Sequence, residues 1–466
     1  MGLMSPMVPK NDGQLASSFR DPCGFLFYRS GILYRQVNLV FKESHDALIR
    51  TGLYAALVND GLLVSHEEVD VAPPRPQIAY KVLKPQLVPF ISYPYEWCFS
   101  QMKDAALTTL RIQRRALDFG MTLKDASAFN LQFDEGKPVF VDTLSFDKYT
   151  EGQPWLAYRQ FCQHFLAPLT LMSLKDIRLS HLLRMYIDGI PLDLASSLLP
   201  VRSRFKLPLL THIHLHASSQ RRYADKPVEM SHRKLSKMGL MGILDSLESC
   251  IRGLKWKPLG TEWADYYNDT NYSAEALHAK KNIVAGLIDR VSPANVWDLG
   301  GNIGVFSRIA SARGIPTVSM DIDPAAVEIN YLEAVSRNES TILPLVIDLS
   351  NPSPPIGWAN QERMSLEDRG PADTVLALAL LHHLCISNNV TFGMLADFLR
   401  LICRHLIIEF IPKSDSQVQR LLATREDIFD DYTEISFERD FSEHFVIGKR
   451  VAIRDSERVL YLMSAR

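Results

Sequence analysis

Residues 296–304 read Val-Trp-Asp-Leu-Gly-Gly-Asn-Ile-Gly, and this stretch decides the fold of the C-terminal part of the chain. A short apolar run reaches Asp298, a turn with three glycines and one asparagine follows, and a helix-forming run begins at Val305. Such a strand, turn and helix start brings backbone N–H groups close to a nucleotide-like ligand. Because the spacing is D-x-G-x-N-x-G and not the G-x-G-x-x-G of dinucleotide-binding proteins, the neighbouring sequence has to identify the ligand.

Length and composition predict a soluble protein of two or three domains. The chain has 466 residues, 47% of them hydrophobic and 22% charged, and a net charge of −2. This charge gives no reason to expect nucleic acid or an anionic membrane surface as a partner. Six scattered cysteines without a C-x-x-C pair favour reduced thiols over a zinc site. Without a signal core or a run of 18 uncharged apolar residues, the sequence predicts a cytoplasmic protein with no membrane span and no bound metal.

The pattern of apolar and polar residues divides the chain into four predicted regions. Residues 1–20 are expected to be disordered. Residues 21–155 mix short strands with helical stretches and predict an α+β domain, whereas 156–259 predict a mainly helical, basic connector. The part from 260 to 466 alternates strands with helices.

The connector contains an unusual concentration of charge between Arg202 and Lys237. Nine lysines and arginines stand there against two acidic residues, together with four histidines. This stretch is a candidate for binding an anionic small-molecule substrate. His212, His214 and His216 alternate as on one face of a strand, a spacing that can hold a metal. With no acidic partner nearby, a solvated amphipathic segment is the preferred interpretation over a metal site.

The C-terminal part is predicted to form a doubly wound, Rossmann-like sheet of seven strands. Alternating strands and helices call for a parallel sheet. The last two apolar runs, 445–453 and 458–463, are separated by four residues, which is hairpin spacing and predicts an antiparallel pair at the end. The five earlier predicted strands cover 295–299, 316–322, 343–347, 373–381 and 405–410.

Acidic residues follow three successive predicted strands. Asp321 lies 23 positions beyond Asp298, close to the spacing at which a carboxylate binds a ribose diol. Asp323, directly before Pro324, is better explained as the N-cap of the next helix. Asp348 ends the third strand. A single Asp at a strand end often only caps a helix, but three on the ligand side of one sheet favour a binding site.

The glycine-rich turn, these carboxylates and the terminal hairpin together resemble class I S-adenosylmethionine-dependent methyltransferases. The resemblance implies S-adenosylmethionine as the cofactor, with Asp298 near its methionine moiety, Asp321 on the ribose, and Asp348 with the adjoining Leu349 at the adenine. The turn residues would allow close approach of the cofactor. They are Gly300, Gly301, Asn302 and Gly304.

The fourth and fifth strands supply the candidate catalytic residues. His382 and His383 follow the fourth strand, at the edge where the family places methyl acceptors, and histidine titrates near neutrality. Glu409, late in the fifth strand, and Asp415 just beyond it are candidates to orient an acceptor. The sequence has no Asn-Pro-Pro-Tyr signature of base-amine methylation. The acceptor atom therefore remains open.

A second resemblance lies in the N-terminal half. Asp125 and Asn130 have the D-x-x-x-x-N spacing, and Asp142 follows a predicted strand pair turned at 134–136. This resembles the catalytic loop and metal-binding Asp of kinase-like phosphotransferases, in which the first Asp meets the acceptor hydroxyl. No glycine-rich phosphate loop and no convincing strand lysine accompany it, so a degenerate module that presents substrate is the preferred interpretation.

Across its whole length the chain resembles the rhizobial host-specific nodulation proteins of the NoeA type, which are regarded as methyltransferase-like. This resemblance implies a small metabolite or a saccharide-like precursor as the methyl acceptor. Two alternatives stay open. One is a phosphotransferase that uses Asp125, Asn130 and Asp142, and the other is a non-catalytic sensor that binds S-adenosylmethionine.

Overall fold

The computed structural model describes residues 13–216, 235–258 and 273–466. Backbone contacts divide the chain into two compact units. The N-terminal unit is formed by residues 8–257 together with the short segment 356–363, and the C-terminal unit contains the remaining described residues.

The N-terminal unit contains an antiparallel sheet and two small strand pairs. The sheet has the order β1-β2-β3-β5-β4. Ser30 and Gly31, both with positive φ, form the tight turn between β2 and β3, as a two-residue hairpin requires. Two further pairs, β6 with β9 and β7 with β8, follow along the chain. The strands are β1 Gly13–Gln14, β2 Gly24–Arg29, β3 Ile32–Asn38, β4 His66–Glu68, β5 Ala79–Pro85, β6 Met121–Leu123, β7 Leu131–Asp134, β8 Lys137–Phe140 and β9 Phe146–Lys148.

A long helix, Phe99–Asp118, provides much of the core of this unit. It is amphipathic, and its apolar side buries Met102, Leu110 and Leu117 completely or nearly so. Its neighbour in space is the helix Lys237–Gly253, and Arg114 bridges the two through Asp245 at 2.6 Å. The other helices of the unit are Lys42–Arg50, Leu53–Asn59, Tyr158–Phe161, Ala167–Leu174, Leu182–Met185, Leu192–Leu198 and Leu207–Leu209.

The C-terminal unit is built on a seven-stranded sheet with the order β12-β11-β10-β13-β14-β16-β15. Its first five strands are parallel, and β16 runs antiparallel to both β14 and β15. The order reverses direction at β10, which lies between β11 and β13. In such sheets ligands bind outside the carboxyl ends of the strands at this point. The strands are β10 Val296–Leu299, β11 Thr317–Asp321, β12 Ile342–Val346, β13 Ala372–Ala377, β14 Cys403–Phe410, β15 Phe445–Ala452 and β16 Val459–Ala465.

Helices cover the sheet of the C-terminal unit on both faces. On one face Val284 and Ile288 pack with Ile407 of β14. On the other face Phe410, an odd number of positions further along the same strand, stacks with Tyr432 and packs against Phe437. The helices are Ala274–Val291, Ser307–Ser311, Pro324–Arg337, Phe392–Ile402, Ser416–Leu422 and Glu434–His444. The α/β architecture and the terminal antiparallel hairpin agree with the sequence prediction.

Two predictions about the N-terminal regions need correction. Residues 13–20 are not disordered, because β1 pairs with β2 and Arg20 forms hydrogen bonds of 2.8 and 3.0 Å to Glu362. Residues 1–12 lie outside the described residues. The boundary expected near residue 155 does not separate compact units, because the regions on both sides of it share one unit. In the described part of the chain no helix is long and apolar enough to cross a membrane.

His212 and His214 lie on a helical turn, Leu210–Leu215, and not on a strand, and His216 directly follows this turn. The ring of His212 is hydrogen-bonded to the hydroxyl groups of Tyr158 (2.6 Å) and Ser246 (2.9 Å). The ring of His214 is hydrogen-bonded to two serine hydroxyls. Burial lowers the pKa of both rings, so that they are neutral at pH 7. They are therefore hydrogen-bonded interior residues and not part of a solvated segment. Residues 217–234 of the basic stretch lie outside the described residues.

A buried ion pair fixes the end of the sheet next to the terminal hairpin. Arg458 donates to Asp415 at 2.7 and 3.0 Å, and the two side chains are 1% and 7% exposed. We expect Asp415→Ala to lower the apparent free energy of unfolding in urea by about 3–5 kcal/mol, because it leaves Arg458 buried without its carboxylate. The matched control is Asp427→Ala, which removes a surface pair with Lys413 and should change stability little. Equal losses in the two variants would contradict the buried pair's role.

Candidate functional site

A cleft of about 380 Å³ opens at the carboxyl ends of β10–β13. It lies where the strand order reverses, and all of its lining belongs to the C-terminal unit. Four of the predicted residues do not line it: Gly304, His382, Glu409 and Asp415. The predicted residues that do line it are Asp298, Gly300, Gly301, Asn302, Asp321, Asp348, Leu349 and His383.

The backbone of the glycine-rich turn is left-handed at three positions. Gly300, Asn302 and Gly304 have φ of 74°, 48° and 81°. Asparagine tolerates this region better than other residues with a side chain, which explains why Asn302 can stand where related turns have glycine. Gly304 is also closely surrounded, since a Cβ there would lie 2.4 Å from the side chain of Asn330. The turn is therefore fixed in one conformation.

The N–H groups of this turn are all used within the protein. Gly300 and Gly301 donate to the Met320 carbonyl of β11 at 2.8 and 2.9 Å, and Gly304 donates to Gly301 at 2.8 Å. The two N–H groups between them bind side-chain oxygens, Asn302 N to Asp321 Oδ2 and Ile303 N to Asn302 Oδ1, both at 2.8 Å. The sequence indicated N–H groups directed at a ligand. In the structure they hold the turn against β11.

Two carboxylates lie buried beside the turn. Asp298 accepts a 2.6 Å hydrogen bond from the Ser307 hydroxyl, and Asp321 accepts from the N–H groups of Asn302 and Asp323 at 2.8 Å. Burial raises the pKa of each carboxyl to about 6, although these hydrogen bonds oppose the change. At neutral pH the cleft therefore contains two carboxylates held at a cost in stability.

Asp348 and Asp323 lie at different places relative to the cleft. Asp348 lines the cleft, and its Oδ1 accepts from the N–H and the hydroxyl of Ser350 at 2.8 and 2.6 Å. Asp323 accepts from Ala325 N at 2.8 Å and caps the helix Pro324–Arg337. Asp323 is thus a structural residue outside the cleft lining, and Asp348 is a third carboxylate facing the cleft.

Lys280 lines the cleft and was not singled out from the sequence. Its Nζ lies 2.7 Å from Glu409 Oε2 and 4.7 Å from the centre of the Phe306 ring. The side chain is 3% exposed, and burial lowers the pKa of the ammonium while Glu409 opposes that change. A signal was present in the sequence. Lys280 falls on the apolar side of its helix, four residues from both Ala276 and Val284.

Glu409 is placed differently from the prediction. It is fully buried, and its Oε2 accepts from Ala379 N at 2.7 Å as well as from Lys280. Ala379 has a φ of 53°, an unfavourable conformation for alanine, and it lines the cleft. Glu409 therefore holds the wall of the cleft and does not itself face an acceptor. Asp415 also does not face the cleft, because it forms the ion pair with Arg458.

The two histidines after β13 divide between the cleft and the interior. His383 lines the cleft, and burial lowers its pKa to about 4. His382 is 1% exposed, lies outside the lining, and has its pKa lowered well below the usual value by burial. The ring centres are 4.1 Å apart. Only His383 can therefore meet a ligand in the cleft, as a neutral imidazole at pH 7.

In the N-terminal unit the kinase-like residues are engaged with one another and with nearby side chains. Asp142 forms an ion pair with Arg35 and accepts hydrogen bonds from the Ser145 hydroxyl and from Leu144 N. Asn130 donates to Ser145 at 3.2 Å, and Asp125 accepts from the N–H of Ser127 at 2.9 Å. Within the described ranges no group of three or more His, Cys, Asp or Glu could hold a metal ion.

The chain is similar to the nodulation protein NoeA of Rhizobium meliloti (strain 1021), with 36% identity over 460 residues that cover 96% of this chain and 95% of that protein. No family model matches the sequence.

Among solved structures, the magnesium protoporphyrin IX methyltransferase ChlM of Synechocystis PCC 6803 with bound SAH aligns at 18% identity and a TM-score of 0.32, covering 44% of this chain and 92% of that one. The N-methyltransferase NodS of Bradyrhizobium japonicum WM9 aligns at 13% identity and a TM-score of 0.31, covering 41% and 98%. TM-scores of this size carry no argument about this chain.

The raised pKa values of Asp298 and Asp321 imply that the stability of the protein depends on pH. Because the folded state holds protons on Asp298 and Asp321 at pH values where the unfolded chain has lost them, the contribution of these two carboxyls to stability should fall as pH rises from about 4 to about 6. Asp298→Asn should remove its share of this fall, raise the melting temperature at pH 7, and increase the free energy of unfolding there by on the order of 1–3 kcal/mol. Ser307→Ala, which removes a donor to Asp298, should steepen it.

Thermal melts monitored by circular dichroism between pH 4 and 8 measure both effects. Because the buried histidines also titrate in this range, the test is the difference between each variant and the wild type: Asp298→Asn and Ser307→Ala shifting the pH dependence in the same direction would contradict the assignment.

Proposed function

The chain belongs to the family of the nodulation protein NoeA, and we propose that it is a class I S-adenosylmethionine-dependent methyltransferase. The observation that carries the proposal is the chemistry of the cleft. Three carboxylates, Asp298, Asp321 and Asp348, face it at the ends of neighbouring strands, around a turn whose N–H groups are already bonded. Such a cleft favours a ligand that donates hydrogen bonds and carries positive charge.

S-adenosylmethionine fits this set of groups. It offers ribose hydroxyls, an adenine amino group and an ammonium group as donors, and its sulfonium is positively charged. In our proposal Asp321 holds the ribose, Asp348 with Leu349 holds the adenine, and Asp298 acts near the methionine end. When bound, the cofactor supplies a methyl group that an acceptor nucleophile can take up.

A dinucleotide fits the same cleft poorly. A pyrophosphate is bound by unpaired backbone N–H groups at a helix start, and the turn at 300–304 has all five of its N–H groups engaged. The three carboxylates would also repel a phosphate. The turn therefore supports a methyltransferase in preference to a nicotinamide-dependent enzyme.

The protein's contribution to methyl transfer is to align the acceptor and keep water out. Leu378, Leu380 and Leu384 give the cleft an apolar wall near Ala379. We assign His383, a neutral imidazole at pH 7, as the group that accepts a proton from the acceptor as it reacts, and its lowered pKa makes it a weak base for that step. We propose a small-molecule or saccharide-like acceptor. The phosphotransferase alternative has less support, because Asp142 is neutralised by Arg35.

Calorimetric titration of the full chain with S-adenosylhomocysteine tests cofactor binding. We expect binding to the wild type and a loss of at least about tenfold in affinity for Asp321→Asn, which removes a charged acceptor. Asp323→Asn is the matched control, since Asp323 caps a helix outside the cleft lining and its change should leave the affinity as it is. Binding of Mg-ATP or NAD⁺ in place of S-adenosylhomocysteine would refute the proposal.

Two histidine variants separate catalysis from packing. With a methyl-labelled cofactor and an extract of the source organism as acceptor, His383→Gln should lower label transfer by about 10²-fold or more while S-adenosylhomocysteine still binds. His382→Gln should act on thermal stability first, because this ring is buried away from the cleft. Full transfer by His383→Gln would remove His383 as the proton acceptor.

A further inference from the structure

Among the described residues that line the cleft, Lys280 is the one lysine or arginine. The other lining groups that can carry charge are Asp298, Asp321, Asp348 and His383, and the histidine is neutral at pH 7. Lys280 therefore supplies the positive charge of a site that is otherwise negative. A ligand with both signs of charge must place its negative group near this residue.

The placement of Lys280 is not explained by stability. A lysine on the apolar side of a helix loses hydration, and the ion pair with Glu409 only offsets that loss. Apolar residues of similar size often replace such buried pairs without loss of stability. Phe306 adds a cation–π contact at 4.7 Å, so that the ammonium is held from two sides at the edge of the cleft.

The position of Lys280 along the cleft is given by its neighbours. Its charge acts on Asp298, which the methyltransferase resemblance places near the methionine moiety. Phe306, directly after the glycine-rich turn, lines the cleft beside it. Lys280 thus lies at the end of the cleft that our proposed function assigns to the amino-acid part of the cofactor.

We propose that Lys280 binds the carboxylate of the methionine end of S-adenosylmethionine and that Glu409 positions it. This inference rests on the proposed function. The methionine end carries an ammonium group and a carboxylate. The carboxylates of the cleft attract the ammonium group but repel the carboxylate. Since the N–H groups of the turn bond within the protein, Lys280 is the described group of the cleft with the charge to bind the second.

Glu409 acts here as a positioning residue. One oxygen, Oε2, accepts both from Lys280 Nζ and from Ala379 N, each at 2.7 Å. It therefore ties the ammonium to the left-handed residue in the cleft wall. Movement of the ammonium away from Glu409 would break the 2.7 Å contact between them.

The test compares ligands with and without the carboxylate. S-adenosylhomocysteine, its carboxyl methyl ester and 5′-methylthioadenosine, which lacks the amino-acid end, are titrated into the full chain by calorimetry. For the wild type we expect the ester to bind at least about tenfold more weakly than S-adenosylhomocysteine, because a charge-assisted contact is lost. Equal affinity for acid and ester would overturn the assignment without any variant.

Lys280→Met then removes the cation at similar side-chain length. It should weaken S-adenosylhomocysteine by at least about tenfold, leave 5′-methylthioadenosine unchanged, and abolish the difference between acid and ester. The double variant Lys280→Met with Glu409→Gln removes both charges and serves if the single variant unfolds. Lys281→Met, the adjacent lysine outside the cleft lining, is the control and should bind all three ligands like the wild type.

The outcomes separate the inference from the function on which it rests. A wild type that binds neither S-adenosylhomocysteine nor 5′-methylthioadenosine refutes the proposed function. A wild type that binds both, with Lys280→Met weakening them equally, shows a purely structural lysine and overturns the inference alone.

Discussion

The fixed hydrogen bonding of the turn at 300–304 determines what the C-terminal unit can bind. Five successive N–H groups donate to Met320, Asp321 and oxygens within the turn itself. A turn with the same course but unpaired N–H groups would be a phosphate site. Here the N–H groups of the turn are bonded within the protein, so side chains at the ends of the neighbouring strands have to recognise a ligand.

The burial of two of these carboxylates lowers the stability of the folded protein. Asp298 and Asp321 are buried close to each other, and their pKa values of about 6 show that their charged forms are disfavoured in the folded protein. A ligand that brings hydrogen-bond donors and positive charge relieves this cost on binding. Lys280, with Glu409 behind it, breaks the uniform negative character of the cleft at one end. In our proposal the same few residues fix both the preferred sign of a ligand and its direction in the cleft.

The sequence predicted those parts of the site that depend on order along the chain. Asp298 and Asp321 lie at the carboxyl ends of β10 and β11, and Asp348 follows β12, so the parallel sheet brings all three to one edge. Lys280 and Glu409 meet across 129 positions, and only the fold shows their contact. His382 and His383 are adjacent and alike in sequence, and the course of the chain after β13 decides which one lines the cleft. The alternation of His212 and His214 does not indicate a strand, because a spacing of two also occurs on a helical turn whose side chains reach different hydroxyl groups.

The most direct measurement is a crystal structure of the full chain grown with S-adenosylhomocysteine. Our account predicts the ligand in the cleft of the C-terminal unit, with its ribose at Asp321, its adenine at Asp348 and its amino-acid end between Asp298 and Lys280. S-adenosylhomocysteine bound outside this cleft, or bound in it with its amino-acid end away from Asp298 and Lys280, would contradict this assignment.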